Sequence, residues 1–151
     1  MLYSPYLSTL LPFNHQPMKP IESDYLYLQA SNIPNAGTGL FTAIRIYKDE
    51  VVSIYKGEII TNKEAHIRAA SGDDQYFIDI SPARILDSKP VEGFAKYAND
   101  AKGRESNDFK NNTKIAFKNR KQVCLIATRN IKAGEEILCG YGKEYWKKHH
   151  V

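Results

Sequence analysis

"VEGFAKYANDAKGRESNDFKNNTKIAF", residues 91–117, decides how the rest of the chain is read. A short apolar turn ends in Asn99-Asp100. A polar run follows, and a second asparagine pair, Asn111-Asn112, stands just before a strand-like segment. An asparagine amide donates and accepts hydrogen bonds at once, so it suits a buried place among backbone groups. Two asparagine-bearing segments thus flank the polar run from Ala101 to Lys110, whose composition is that of a surface loop.

Around this stretch lies a chain of 151 residues, sized for one domain, with 42% apolar and 25% charged residues. No apolar run approaches the roughly 20 residues that cross a bilayer, so no membrane partner is expected. The opening "MLYSPYLSTLLPF" has no basic leader and is interrupted by Pro5 and Pro12. It predicts no secretory signal and an intracellular place. Cys124 and Cys139 are too few for a four-cysteine zinc site, and no histidine stands at ligand spacing from either. Two reduced, partly buried thiols and no metal are expected. The net charge of +4 modestly favours acidic partners. Basic residues gather at Lys118, Arg120 and Lys121, read as a solvated hairpin tip, and at Lys147, Lys148, His149 and His150, read as a helix C-terminus. Nucleosomal DNA is the weaker partner this charge suggests.

Residues 1–22 hold four of the seven prolines and read as an irregular arm, with a single domain over 23–151. "YLYLQAS" (25–31) alternates like a half-buried strand, and "EVVSIYKGEII" (50–60) is rich in β-branched and aromatic residues. Between them Asn35, Gly37 and Gly39 are all suited to positive φ. Thr61 with Glu64 forms a capping box before a helix that Ser71-Gly72 ends. "YFIDI" and "RILD" are short strands, "TKIAF" and "VCLIATR" a hairpin, "AGEEILCGYG" a turn and last strand, and "KEYWKKHH" a helical turn. The fold class is mostly β, with few short helices.

Four pieces, in this order, resemble the SET-domain protein lysine methyltransferases. Gly37, Thr38, Gly39, Leu40 and Phe41 match the family's Gly-x-Gly signature. Tyr55, Lys56, Gly57 and Glu58 match its Tyr-x-Gly-Glu. Ala95 to Asp100, with Asn112, look like its Arg-Phe-Ile-Asn-His and Pro-Asn segment. Gly134, Glu135, Glu136 and Ile137, then Tyr141-Gly142, match its close. The resemblance covers about residues 25–146. It implies a SET-domain fold of several short β-sheets with a C-terminal pseudoknot, in which the asparagine segment and the last strand cross.

The same resemblance implies S-adenosylmethionine as methyl donor, S-adenosylhomocysteine as product, and a lysine of a histone or other basic protein as acceptor. The enzyme would be nuclear or host-nuclear if histone-directed, and cytoplasmic otherwise. Main chain of Ala36, Gly37, Thr38 and Gly39 would meet the methionine part of the donor. Asn99 would hold its amino group and the Asp100 backbone its adenine, with Lys96 beside them and Trp146 stacked on the purine. Tyr141 would face the transferring methyl, and Tyr55 would wall the lysine channel. The chemistry itself asks for such a tube. A free lysine is neutral in only about one molecule in 2,500 at pH 7. An aromatic, low-dielectric channel disfavours the ammonium.

The sequence departs from the family pattern in three places. Asp100 stands for the usual His, Lys96 for the usual Arg, and no cysteine cluster flanks the domain, as in small stand-alone relatives without zinc modules. Cys139 stands where many relatives carry Tyr or Phe, which implies room for more than one methyl. The helix at 62–70 is expected as one wall of the acceptor groove. The alternative function is a catalytically weak SET-like module that binds peptides.

Overall fold

The computed structural model describes residues 20–102, 108–119 and 122–149. Most of the expected arm, residues 1–19, lies outside the described residues, as do 103–107 of the polar loop and the tip residues Arg120 and Lys121.

Among the described residues nine short strands form three sheets of three. In the first, β1 (Leu26–Ala30), β2 (Thr38–Thr42) and β9 (Glu136–Ile137) run antiparallel in the order β1-β2-β9, with Leu28 opposite Leu40 and Leu40 opposite Ile137. β2 lies in the middle, so it is buried from Gly39 to Thr42, while the edge strand β1 exposes Leu28 to Ala30. The second sheet orders β3 (Val51–Ile54), β8 (Gln122–Ala127) and β7 (Thr113–Lys118). The hairpin β7–β8 turns at Asn119, whose φ of 56° suits an asparagine. The third orders β4 (Glu58–Thr61), β6 (Arg84–Asp87) and β5 (Phe77–Ser81).

A short helix α1 (Glu22–Tyr25) opens the described chain and is tied to β3. The Glu22 carboxylate accepts from Ile54 N at 2.8 Å and Ser53 Oγ at 3.0 Å. Helix α2 (Asn62–Ala70) begins where the capping chemistry places it, with Thr61 Oγ accepting from Glu64 N at 3.3 Å. The Glu64 carboxylate accepts from Arg68 Nε at 3.0 Å, one turn on, rather than completing the reciprocal box. Arg68 also donates to Glu58 at 2.9 Å and to the fully buried Asp87 at 2.6 Å, fixing α2 to β4 and β6. Such a paired guanidinium is what makes a buried carboxylate tolerable.

The main core gathers Leu26, Leu40, Ile46, Val52, Leu125, Ile131 and Ile137 from the first two sheets, with Cys139 among them. Both cysteines are buried and free. The mostly β architecture of short sheets and few short helices is the one the sequence implies.

The crossing sits at the asparagines. Leu138 pairs in parallel with Asn99, and Cys139 in parallel with Thr113. The segment 136–139 therefore runs between the two ends of the 100–112 connection. Asn112 is fully buried there. Its Nδ2 donates to Glu136 O and its Oδ1 accepts from Leu138 N, both at 2.8 Å. Helix α3 (Lys143–His149) follows the crossing and is tied to the 74–76 segment by the ion pair of Lys148 with Asp74.

Candidate active site

The turn between β1 and β2 is built by local chemistry and held from afar. Ser31 N donates to Gly37 O at 2.8 Å, and Gly37 takes a φ of 72°, which a glycine adopts without strain. Glu136, buried on β9, grips the start of this turn, accepting from Ser31 Oγ at 2.6 Å and Asn32 N at 2.8 Å. Gly39 has a different reason from the one expected. It lies inside β2 without a positive φ, and a Cβ there would stand 2.4 Å from Glu136 Oε1. It is a glycine because the carboxylate needs the space. Gly39→Ala should therefore lower urea-unfolding stability by about 1–3 kcal/mol. A change under about 0.5 kcal/mol would mean that Glu136 steps aside.

Opposite this turn, a 3-10 turn over Ala95–Tyr97 delivers Asn99. Asn99 Nδ2 donates to Thr38 O at 3.0 Å, and Asn99 O accepts from Cys139 N at 2.8 Å. One residue thus joins the glycine turn to the C-terminal segment. Asp100 follows, 6% exposed. Its carboxylate accepts from Tyr141 N and Trp146 Nε1 at 2.8 Å, and from Asn111 Nδ2 and Lys102 N at 2.9 Å. Burial alone would raise its pKa. These four donors outweigh burial and hold the carboxyl below its ordinary value.

Tyr141 Oη donates to Ala98 O at 2.7 Å. Its ring meets Tyr145 edge-on at 4.7 Å and stacks with Trp146 at 5.8 Å and 21°. Burial pushes the phenols of Tyr141 and Tyr55 well above their ordinary range, and the Cys139 thiol up to about 11. All three are neutral near pH 7. None is a base.

Two cavities meet at these rings. The larger, about 690 Å³, is lined by Pro34 to Ala36, Thr38, Tyr97, Asn99, Asp100 and Trp146, and falls within the roughly 300–1,000 Å³ of small-molecule sites. The smaller, about 60 Å³, is a narrow slot between Tyr55, Phe77, Ile78 and Ile115. Gln75, Tyr76, Lys96, Tyr141 and Tyr145 line both. Ala36, Thr38, Lys96, Asn99, Asp100, Tyr141 and Trp146 are thus brought to the larger cavity and Tyr55 to the slot, with Gly37 and Gly39 shaping the turn behind. The Lys96 ammonium donates to the carbonyls of Val91, Lys89 and Ser88 at 3.0–3.4 Å and so braces the 88–91 turn.

Three site features went unassigned in the sequence or fell elsewhere. The slot wall is residues 75–78, which follow α2, and no α2 residue lines it. Cys139 is packed in the core and lines neither cavity; Tyr76 and Tyr145 supply the additional rings. Glu136, matched in the sequence only as one letter of the closing motif, and Asn111, visible only as half of a doubled asparagine, hold the site from behind. Among the described residues no group of three or more His, Cys, Asp or Glu side chains is placed to hold a metal ion. No helix there is long and apolar enough to cross a membrane.

Residues 37–142 match the family model of the SET domain. The chain is also similar to the histone-lysine N-methyltransferase SUV39H2 of Xenopus tropicalis, 31% identical over 114 residues. That match takes in 70% of this chain and spans about a quarter, 27%, of the relative's length.

Proposed function

This chain belongs to the SET-domain family, and from that premise we propose that it is an S-adenosylmethionine-dependent protein-lysine N-methyltransferase acting on a histone or another basic protein. The observation that carries this is the junction of a ligand-sized cavity with a narrow aromatic slot at Tyr141.

The lining fits the donor. Main chain of Ala36 and Thr38 in the cavity wall would hold its methionine part, with Gly37 and Gly39 shaping the turn that presents them. Asn99 Oδ1, which accepts no hydrogen bond from the described residues, suits an ammonium. The flat face of Trp146 suits a purine, a contact worth about 1–3 kcal/mol by analogy with base stacking. When bound, S-adenosylmethionine supplies an electrophilic methyl group. The chain does the rest. Tyr55, Tyr76 and Tyr145 sheath the acceptor side chain, disfavour its ammonium and exclude water. The proton leaves the lysine for solvent before transfer, since no neighbouring phenol or thiol is ionised to take it. Tyr141, its hydroxyl proton committed to Ala98 O, turns its oxygen lone pairs to the junction and fixes the line along which amine and methyl meet. Such positioning can contribute about 7–11 kcal/mol of the barrier.

Calorimetry with S-adenosylmethionine and mass-spectrometric mapping of lysines after incubation with free histones and nucleosomes test this. Donor uptake and a mass gain of whole methyl groups on lysine are expected. Donor uptake with no methylated lysine in histones or cell-extract proteins would favour a peptide-binding module. No donor uptake would remove the proposal.

A further inference from the structure

Asp100 holds more than its own turn. Its position is where the sequence departs from the Asn-His pattern, and the side chain there is a buried carboxylate with no ion pair among the described residues. One oxygen, Oδ2, accepts both the backbone N–H of Tyr141 and the indole N–H of Trp146. The other, Oδ1, is braced by Asn111 and Lys102 N, and Asn111 in turn accepts from Ala101 N at 2.8 Å. Tyr141 stands at the junction of the two cavities and Trp146 in the wall of the larger one, on a helix of only seven residues. A single oxygen therefore ties both the start of the C-terminal segment and α3 to the turn that carries Asn99, beside the Lys148–Asp74 ion pair further along the helix.

We propose that Asp100, braced by Asn111, is a positioning residue that latches α3 over the larger cavity, so that the affinity of the site for an adenosyl ligand depends on this one carboxylate. The dependence on that ligand rests on the donor reading above; the latch itself does not. An unpaired carboxylate that satisfies four N–H donors is replaceable by nothing of the same shape. An asparagine amide at position 100 must turn its NH2 toward one pair of donors or the other, and so breaks half the set. Asn111 lines neither cavity, and its amide reaches Trp146 indirectly, through the Asp100 carboxylate it braces and through Gly140 beside it.

Trp146 is the sole tryptophan, so its emission reads the latch directly. In ligand-free Asp100→Asn, with far-UV circular dichroism confirming a folded chain, emission should shift to the red and acrylamide quenching should rise about twofold. S-adenosylhomocysteine should bind tenfold or more weakly by calorimetry. Asn111→Ala should move all three in the same direction by less, and should add little to Asp100→Asn in the double variant. If Asp100→Asn lowers only the unfolding midpoint while emission, quenching and affinity stay as in wild type, the latch does not exist. Should Asp100→Asn not fold, Asn111→Ala alone decides, an unchanged emission and affinity overturning the proposal. If wild type takes up no S-adenosylhomocysteine, the donor reading fails, and the ligand-free emission still decides the latch.

Discussion

Tyr141→Phe should fold, take up S-adenosylmethionine within a few-fold of wild type, and lose methyl transfer by about 10²–10³-fold, the size seen when one preorganised polar group is removed from a reacting centre. The hydroxyl lies at the meeting point of the two cavities and donates to Ala98 O at 2.7 Å. Removing it leaves that carbonyl short of a donor, a stability cost of about 1 kcal/mol that the fold can absorb. Single-turnover transfer to a lysine peptide, followed by mass spectrometry, separates the losses. A kcat unchanged from wild type would strip the hydroxyl of its role. Because burial keeps this phenol protonated far above neutrality, the rate of the wild-type protein between pH 6 and 9 should rise with the fraction of neutral acceptor amine. It should show no descending limb from ionisation of Tyr141.

Asn112→Ala should be the most damaging single change to stability. It would strand Glu136 O and Leu138 N inside the crossing, and each buried unpaired group costs about 1–3 kcal/mol. The sum, roughly 2–6 kcal/mol, compares with the 5–15 kcal/mol that hold a typical domain together. Urea unfolding should move to much lower midpoints, and S-adenosylhomocysteine should restore part of the loss by binding the folded form. A midpoint shift worth less than about 1 kcal/mol would mean that water replaces the amide and that the asparagine is not what holds the crossing.

The strands and α2 were legible because their signals are local. Alternation in "YLYLQAS", the Thr61 cap and the turn at Asn119 all act within a few residues. The role of Asn112 was legible only as a need for partners. What partners it has, Glu136 and Leu138, lie 24 and 26 residues away, and no spacing rule names them. Gly39 shows the limit most plainly. Its sequence neighbourhood suggests a turn, and the reason for it is the Glu136 carboxylate, far along the chain. For Asp100 the resemblance implies a role for the main chain only, and nothing local in the sequence points to its carboxylate. Its side chain turned out to be the most heavily bonded acceptor there, because Tyr141 and Trp146, some 41 and 46 residues on, converge on it. Acceptor-slot residues such as Tyr76 and Ile115 were invisible for the same reason, each looking like one more packed strand neighbour.

The insertion of residues 136–139 between Asn99 and Thr113 also sets a timetable for synthesis. A ribosome adding about 5–20 residues per second delivers the glycine turn first and Asn99 several seconds later. The larger cavity has no floor until the final strand has threaded into place and α3 has closed on it. Every shorter nascent chain is blind to the ligand. On the donor reading proposed above, capture of an adenosyl compound marks completion of the thread, and such a ligand would favour threaded molecules over half-threaded ones.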